Sequence, residues 1–302
     1  MRKYDIALLG PLSLDINVEP DGREIHEIGG AVTCAAYAVQ ATGVKSVVLP
    51  QANLRQVDVA ARFRDLPCDI IPVDSRGTTS IRNVYYDASH ERRDSKILGC
   101  ADGFKLSDLG DVKASLYHLG GLVHTDFSTD FILGLAGIGD IGADAQFLLR
   151  HADLTTGAMP FTDYAEKLQV LPRLRYLKVD AREAEIMTGT ADREAAARQL
   201  YTWGAKEIFV SYHTEMMVFD GETLYTCAYH PTSTVGRTGR GDTVFSTYLA
   251  MRLNHSIEES LLFATALVCL KIGKVGPFKG TAKDVHDLIT ATGMKVERIE
   301  WK

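Results

Sequence analysis

The segment TSTVGRTGRGDTVFSTYLA, residues 232–250, brackets an arginine with two glycines, Gly239 and Gly241, and follows them at once with an aspartate. Beyond the turn, Val244, Phe245, Tyr248 and Leu249 recur at helical spacing for one buried face, so a Gly-rich turn runs into a helix N-terminus. The unpaired amides of such a start, at the positive end of the helix dipole, attract phosphate oxygens. Asp242 is then either a cap for that helix or a catalytic carboxylate beside a bound phosphate. The spacing differs from the GxxxxGK[ST] of a P-loop, and no strand-linked GxGxxG signals a dinucleotide, which argues against a nicotinamide oxidoreductase.

Other residues of reactive type are read more plainly. In LKVDAREAEIMTG, Asp180 and Glu183 stand just past a strand pattern, with the spacing of a capping pair at a helix start. Taken alone, Asp15 is a turn residue and Gly29-Gly30 a helix entry. Ser256 and Glu259 form a capping box. His213 ends a strand pattern and is read as structural, and no HxxH or HExxH spacing occurs. The five cysteines are scattered and free of CxxC spacing, which signals neither a disulfide framework nor a zinc site.

Short apolar runs must carry these groups. YDIALLG, KSVVLP, CDIIPV, SLYHLG, LRYLKVD and KEIFVSY read as strands and alternate with helical patterns, the rhythm of parallel βαβ units. AVTCAAYAVQATG, REAEIMTG and DREAAARQLYTWG read as helices closed by Gly43, Gly189 and Gly204. Residues 12–28 and 78–98 alternate polar and apolar positions around turn signals, as hairpins exposed on one face do. A third hairpin is expected in EMMVFDGETLYTCAY, turning at Asp220-Gly221. The expected fold is one α/β domain over 1–302, doubly wound around a mostly parallel sheet with flanking helices, carrying a small β lid from 12–28 and 78–98.

Composition narrows the class. With 302 residues, 46% hydrophobic and 24% charged, the chain is that of a globular protein with a sizeable core. A net charge of −6 would repel a nucleic-acid backbone. The apolar run in MRKYDIALLG is too short for a signal sequence and reads as a first strand, and even LLFATALVCLKIG is too short to span a bilayer. A cytoplasmic protein with a small-molecule partner, and no nucleic acid or membrane partner, is expected.

Residues 232–250 resemble the signature of the ribokinase-like, or PfkB, carbohydrate kinases, a pattern near D-T-x-G-A-G-D-x-F that Thr238, Gly239, Gly241 and Asp242 match. The resemblance implies an ATP-dependent kinase with Mg²⁺, and with room for a monovalent cation, acting on a hydroxyl of a sugar-like substrate. Asp242 would be the general base, and the amides of 239–242, Arg240 among them, the anion hole. Phosphoryl transfer suits that set, since it chiefly needs positioning and charge stabilisation. The likeness extends to Gly10-x-x-x-x-Asp15 and Gly29-Gly30, implying contacts to the sugar. It also covers Asp180-x-x-Glu183, implying Mg²⁺ held through water, and HERRDSKIL, whose Arg92 and Arg93 would reach the substrate from the lid. GDIGADAQFLLR resembles a further strand and loop, with no chemistry assigned.

Several positions depart from the pattern. Gly236 and Arg237 replace the signature's first Asp and Thr, Arg240 its alanine, and Cys34 the usual asparagine of the sugar pocket. The nucleotide-contacting T-x-G reads Ser211-Tyr212-His213, without the glycine that lets backbone approach phosphate. These departures also fit a binding or regulatory protein of the same fold without turnover, against which stands the retention of Asp242 with its glycines. Unpaired lid edges admit a dimer through the lids.

Overall fold

The structure, a computed structural model, describes residues 2–87, 93–229, 231, 233, 236 and 238–300. β1 (Arg2–Pro11) is followed by a hairpin, β2 (Ser13–Val18) and β3 (Glu24–Gly29). The chain continues through α1 (Ala31–Gln40), β4 (Ser46–Ala52), α2 (Val59–Arg62), β5 (Asp69–Ile70) and β6 (Val73–Asp74) to a second hairpin, β7 (Thr79–Tyr85) and β8 (Arg93–Gly99). Then come β9 (Val112–Leu119), α3 (Thr129–Leu135), β10 (Asp140–Asp144), α4 (Ala145–Leu149), α5 (Lys167–Val170), β11 (Tyr176–Asp180), α6 (Ala181–Thr188), α7 (Arg193–Thr202) and β12 (Glu207–Ser211). A third hairpin, β13 (Glu215–Phe219) and β14 (Thr223–Ala228), precedes α8 (Arg240–Arg252), α9 (Ile257–Ile272), α10 (Ala282–Thr292) and β15 (Val296–Glu300).

Two sheets result. The large one runs β15-β14-β13-β12-β11-β10-β9-β1-β4-β5, with β6 also on β4. From β12 to β5 every pairing is parallel, while β13, β14 and β15 add an antiparallel margin. Its central strands are apolar on both faces because helices cover both. Phe131 of α3, Phe147 of α4 and Ala184 of α6 pack on one side; Val32 of α1, Val244 of α8 and Leu261 of α9 pack on the other. The small sheet runs β3-β2-β7-β8, two antiparallel hairpins joined by a parallel β2–β7 pairing. It is the expected lid, and it springs from the end of β1.

Local signals act where they were read. Gly43, Gly189 and Gly204 all take positive φ at or just past helix ends. At the third hairpin Gly221 has φ 103°, and Asp220 Oδ1 accepts the amides of Glu222 and Thr223. CDIIPV is not one strand: it splits into β5 and β6 around Pro72, which has no amide to give a ladder. The single buried face expected of α8 is also corrected. Thr243–Met251 are buried without a break, because α8 lies between α1, α9 and the sheet. Among the described residues no helix is long and apolar enough to cross a membrane.

Candidate active site

α8 begins at the C-terminal edge of the parallel strands. Gly239, its N-cap, has φ 76°, and a Cβ there would lie 2.3 Å from Cys34 Sγ on α1. Gly241 packs over Lys178 of β11, where a Cβ would lie 3.3 Å from Nζ. Both glycines thus allow close approach, one to α1 and one to the sheet. The first amides of α8 have no acceptor within the helix and carry its positive end. Asp242 stands among them in the first turn, partly exposed and not sealed in a cap. Burial pushes its carboxyl up to about 6, helped by the Asp144 carboxylate and opposed by Lys178 and Lys271.

Two buried ammonium groups flank this turn. Lys178 is 5% exposed and donates to Asp144, with Nζ 3.0 Å from Oδ2, and lies 3.5 Å from Glu183 Oε2. Burial alone would depress the Lys178 ammonium, but the carboxylates of Asp144, Glu183 and Asp180 hold it above its ordinary value. Lys271 of α9, 2% exposed, donates to the backbone oxygens of both Gly236 and Thr238. It pins the stretch of chain that leads into the turn before α8.

Asp180 and Glu183 form the capping box read from the sequence: Asp180 Oδ1 accepts the Glu183 amide at 2.8 Å, and Glu183 Oε2 the Asp180 amide at 2.7 Å. Burial and the neighbouring carboxylates push Glu183 upward against the pull of Lys178. Among the described residues no three ligands converge to hold a metal directly. The carboxylates of Asp144, Asp180 and Glu183 around one ammonium instead suit a hydrated Mg²⁺, which gives up its waters reluctantly. Ser211 is buried beside Asp180, its partner across β11 and β12, so only Tyr212 and His213 continue to the surface. There the Arg193 guanidinium lies 4.0 Å from the Tyr212 ring centre and pairs with Glu215 at 2.7 Å.

One turn of α1 links the start of α8 to the lid. At its head Gly30 has φ 109°, and a Cβ on Gly29 would lie 2.3 Å from Asp15 Oδ2; one turn later comes Cys34. Burial pushes Asp15 up to about 6, against Ser13, Arg93 and Arg150, and its Oδ1 is buried without a protein partner. Burial and the Asp242 charge push the Cys34 thiol up to about 12, so it stays neutral. Arg93 donates to the Tyr85 hydroxyl, whereas Arg92 and Arg237 lie outside the described residues.

Sequence reasoning missed Lys178, Lys271, Asp144, Asp126 and Arg150. The buried Arg150 at the end of α4 leaves Nε unpartnered amid Asp15, Asp126 and Glu183. The available signal was a basic residue inside an apolar run: Lys178 in LKVD, Lys271 in LVCLKIG and Arg150 after FLL.

No family model and no curated protein matches the sequence. Solved structures do. A pyrophosphate-dependent kinase of the ribokinase family, complexed with a pyrophosphate analogue and myo-inositol, is 32% identical over 93% of this chain and 99% of its own, with a TM-score of 0.84. A pyrophosphate-dependent myo-inositol-1 kinase, converted into a myo-inositol-3 kinase by replacing one asparagine and one serine with leucine, is 30% identical over 95% and 99%, at 0.84. Arabidopsis thaliana ribokinase with ribose and ATP is 18% identical over 95% and 99%, at 0.74.

Proposed function

Because this chain belongs to the ribokinase family of carbohydrate kinases, we propose that it phosphorylates one hydroxyl of a cyclic polyol or sugar bound between the lid and the start of α8. The observation that carries this reading is the partly exposed Asp242 among the first amides of α8, with Lys178 and Lys271 on either side. The Asp242 carboxylate takes the hydroxyl proton as that oxygen bonds to phosphorus, while the bond from phosphorus to the donor's bridging oxygen breaks. The amides of 239–242, with Arg240, hold the migrating phosphoryl group. Asp15, Gly29, Gly30 and Cys34 line the acceptor end, with Arg150 added by its buried, unpartnered nitrogen. Mg²⁺ bound through water at Asp180 and Glu183 would neutralise donor charge. Asp144 would join them as an acceptor for the ion's waters.

ATP with Mg²⁺ is the donor that the resemblance implies. One observation favours a second reading, inorganic pyrophosphate. The neighbours at 30–32% identity are pyrophosphate-dependent, and here Tyr212, stacked by Arg193, stands beside His213, which replaces the family's glycine. Cyclic polyols lead the acceptors for the same reason. Incubating the protein with myo-inositol, aldoses, ketoses and nucleosides, each with ATP or pyrophosphate and Mg²⁺, tests the reading by ³¹P NMR. A phosphate monoester from at least one pair is expected. Ligand-induced thermal stabilisation without any ester would favour the non-catalytic binder.

A further inference from the structure

The side chain of Lys271 ends among backbone oxygens. Its ammonium donates to the carbonyl oxygens of Gly236 and Thr238, two residues apart on the stretch that enters α8, and the residue is 2% exposed. An ammonium is a compact charge with three N–H donors, and here two of them go to main-chain acceptors rather than to a carboxylate. A buried lysine is ordinarily paired with an opposite charge. Asp242 acts on this one through space: burial lowers the Lys271 ammonium, and the Asp242 charge opposes that.

Two helices prepare the place. α9 ends at Ile272, one residue beyond Lys271, and presents its negative end there, while α8 begins two residues past Thr238 with its positive end. Carbonyl oxygens that converge near a helix C-terminus are what a partly dehydrated monovalent cation seeks, because they replace its water. The family resemblance left room for such an ion, and the residues present do not fit one. The Gly236 and Thr238 oxygens are already bound by Nζ. Glycine at 236, where the signature carries Asp, supplies no carboxylate to an ion. A Cβ there would run into the Lys274 carbonyl oxygen, so the backbone has closed on the end of α9. The Gly236 amide completes the closure, donating to the Ile272 oxygen at 2.9 Å.

We propose that the Lys271 ammonium serves as a built-in monovalent cation, which makes phosphoryl transfer at the start of α8 independent of potassium or sodium in solution. This rests on the kinase reading above and names how its turn is held. Two effects follow from the bonds. The stretch before α8 is tied at two points to α9, which fixes the amides of 239–242. The Thr238 carbonyl shares its peptide group with the Gly239 N–H, so an ammonium on that oxygen polarises the N–H and strengthens it toward a phosphate oxygen. Lys271 is a positioning residue, since it acts on the phosphoryl group through this backbone.

The experiment uses Lys271→Ala, which empties the space of the ammonium, and Lys271→Met, which fills it with an uncharged chain. Ester formation by the acceptor and donor pair that wild type turns over best is followed in tetramethylammonium chloride at fixed Mg²⁺ and ionic strength, with potassium or ammonium chloride replacing part of the salt. Melting curves are read on the same samples. Wild type should show the same kcat and melting temperature with and without either ion. Lys271→Ala should lose on the order of 10²-fold in kcat through a displaced turn and regain much of it as potassium or ammonium rises. Its melting temperature should climb in the same saturable way, as a specifically bound ion requires. Lys271→Met should lose kcat and regain nothing. A lysine with a merely structural role gives no ion-specific rescue. A wild type activated several-fold by either ion overturns the proposal, as does a folded Lys271→Ala that neither ion restores in rate or melting temperature. Where Lys271→Ala does not fold in any of the salts, the wild-type dependence decides. If wild type makes no ester with any pair, the kinase reading falls, and the melting curves alone decide whether an ion takes the ammonium's place.

Discussion

Asp242 carries a conflict that its surroundings manage without removing. Burial and the Asp144 carboxylate resist its ionisation, while Lys178, Lys271 and the start of α8 favour it. Raised to about 6, the group is a stronger base than an exposed aspartate yet remains ionised at neutral pH. On the acid side kcat/KM should therefore fall tenfold per pH unit below about 6, a limb that a pH–rate profile measures directly. The stability consequence has the opposite sign. A carboxyl raised in the folded state favours folding when protonated and loses that contribution as pH climbs from 3.8 through about 6. Asp242→Asn should accordingly melt no lower than wild type at neutral pH, by calorimetry, even as it loses activity. Lys271 is the other residue whose loss should be felt. Lys271→Met leaves the Gly236 and Thr238 oxygens without their donor, at about 1–3 kcal/mol for the buried Gly236 group, and frees the turn they anchor. A lower melting temperature together with a reduced kcat is expected. Asp242 and its glycines were legible because they are neighbours in sequence. Lys271 and Lys178 were not, since Gly236 and Asp144, which they bind, lie 35 and 34 residues away and only the fold brings them together.

Among the elements, the contact between α1 and the start of α8 holds the site's two ends at fixed spacing. Gly239→Ala asks for a Cβ 2.3 Å from Cys34 Sγ at a φ of 76°, so either the turn or α1 must shift. If the first α8 amides hold the phosphoryl group as proposed, a displacement near one ångström costs on the order of 10²-fold in rate. Pairing it with Cys34→Ala removes the obstructing sulfur and should recover part of kcat, leaving the backbone strain as the residue of the effect. Gly241→Ala meets only the end of the Lys178 side chain at 3.3 Å, with no positive φ to strain, and should be milder. Alternating strands and helices, the three hairpins and the capping boxes were all readable, because each depends on local periodicity or on a turn residue. What periodicity could not convey was layering. A helix that fits one buried face looks much like α8, whose full burial follows from being packed between α1, α9 and the sheet. Likewise, Pro72 divides a run that reads as one strand, because both halves must pair with β4.

For the whole molecule, the lid also presents apolar side chains to solvent. Val84, Tyr86 and Leu98 are exposed on or beside β7 and β8, and a solvent-facing apolar set of this kind is suited to a second copy of the chain. Sedimentation velocity should show a dimer, and Leu98→Glu should shift it toward monomer. The layered architecture also explains why the acceptor could not be read beforehand. A Gly-rich turn before a helix and a parallel sheet suit many acceptors, and the side chains that would choose among them come from segments far apart in sequence that only the fold brings together. The central claim is that Asp242 removes a proton from a bound hydroxyl while phosphorus moves to it. Single-turnover phosphate transfer by Asp242→Asn, beside a thermal-shift titration showing that the variant still binds acceptor and donor, tests this most directly. The account predicts intact binding with transfer slowed by about 10²- to 10⁴-fold; transfer at the wild-type rate in the bound variant would contradict it.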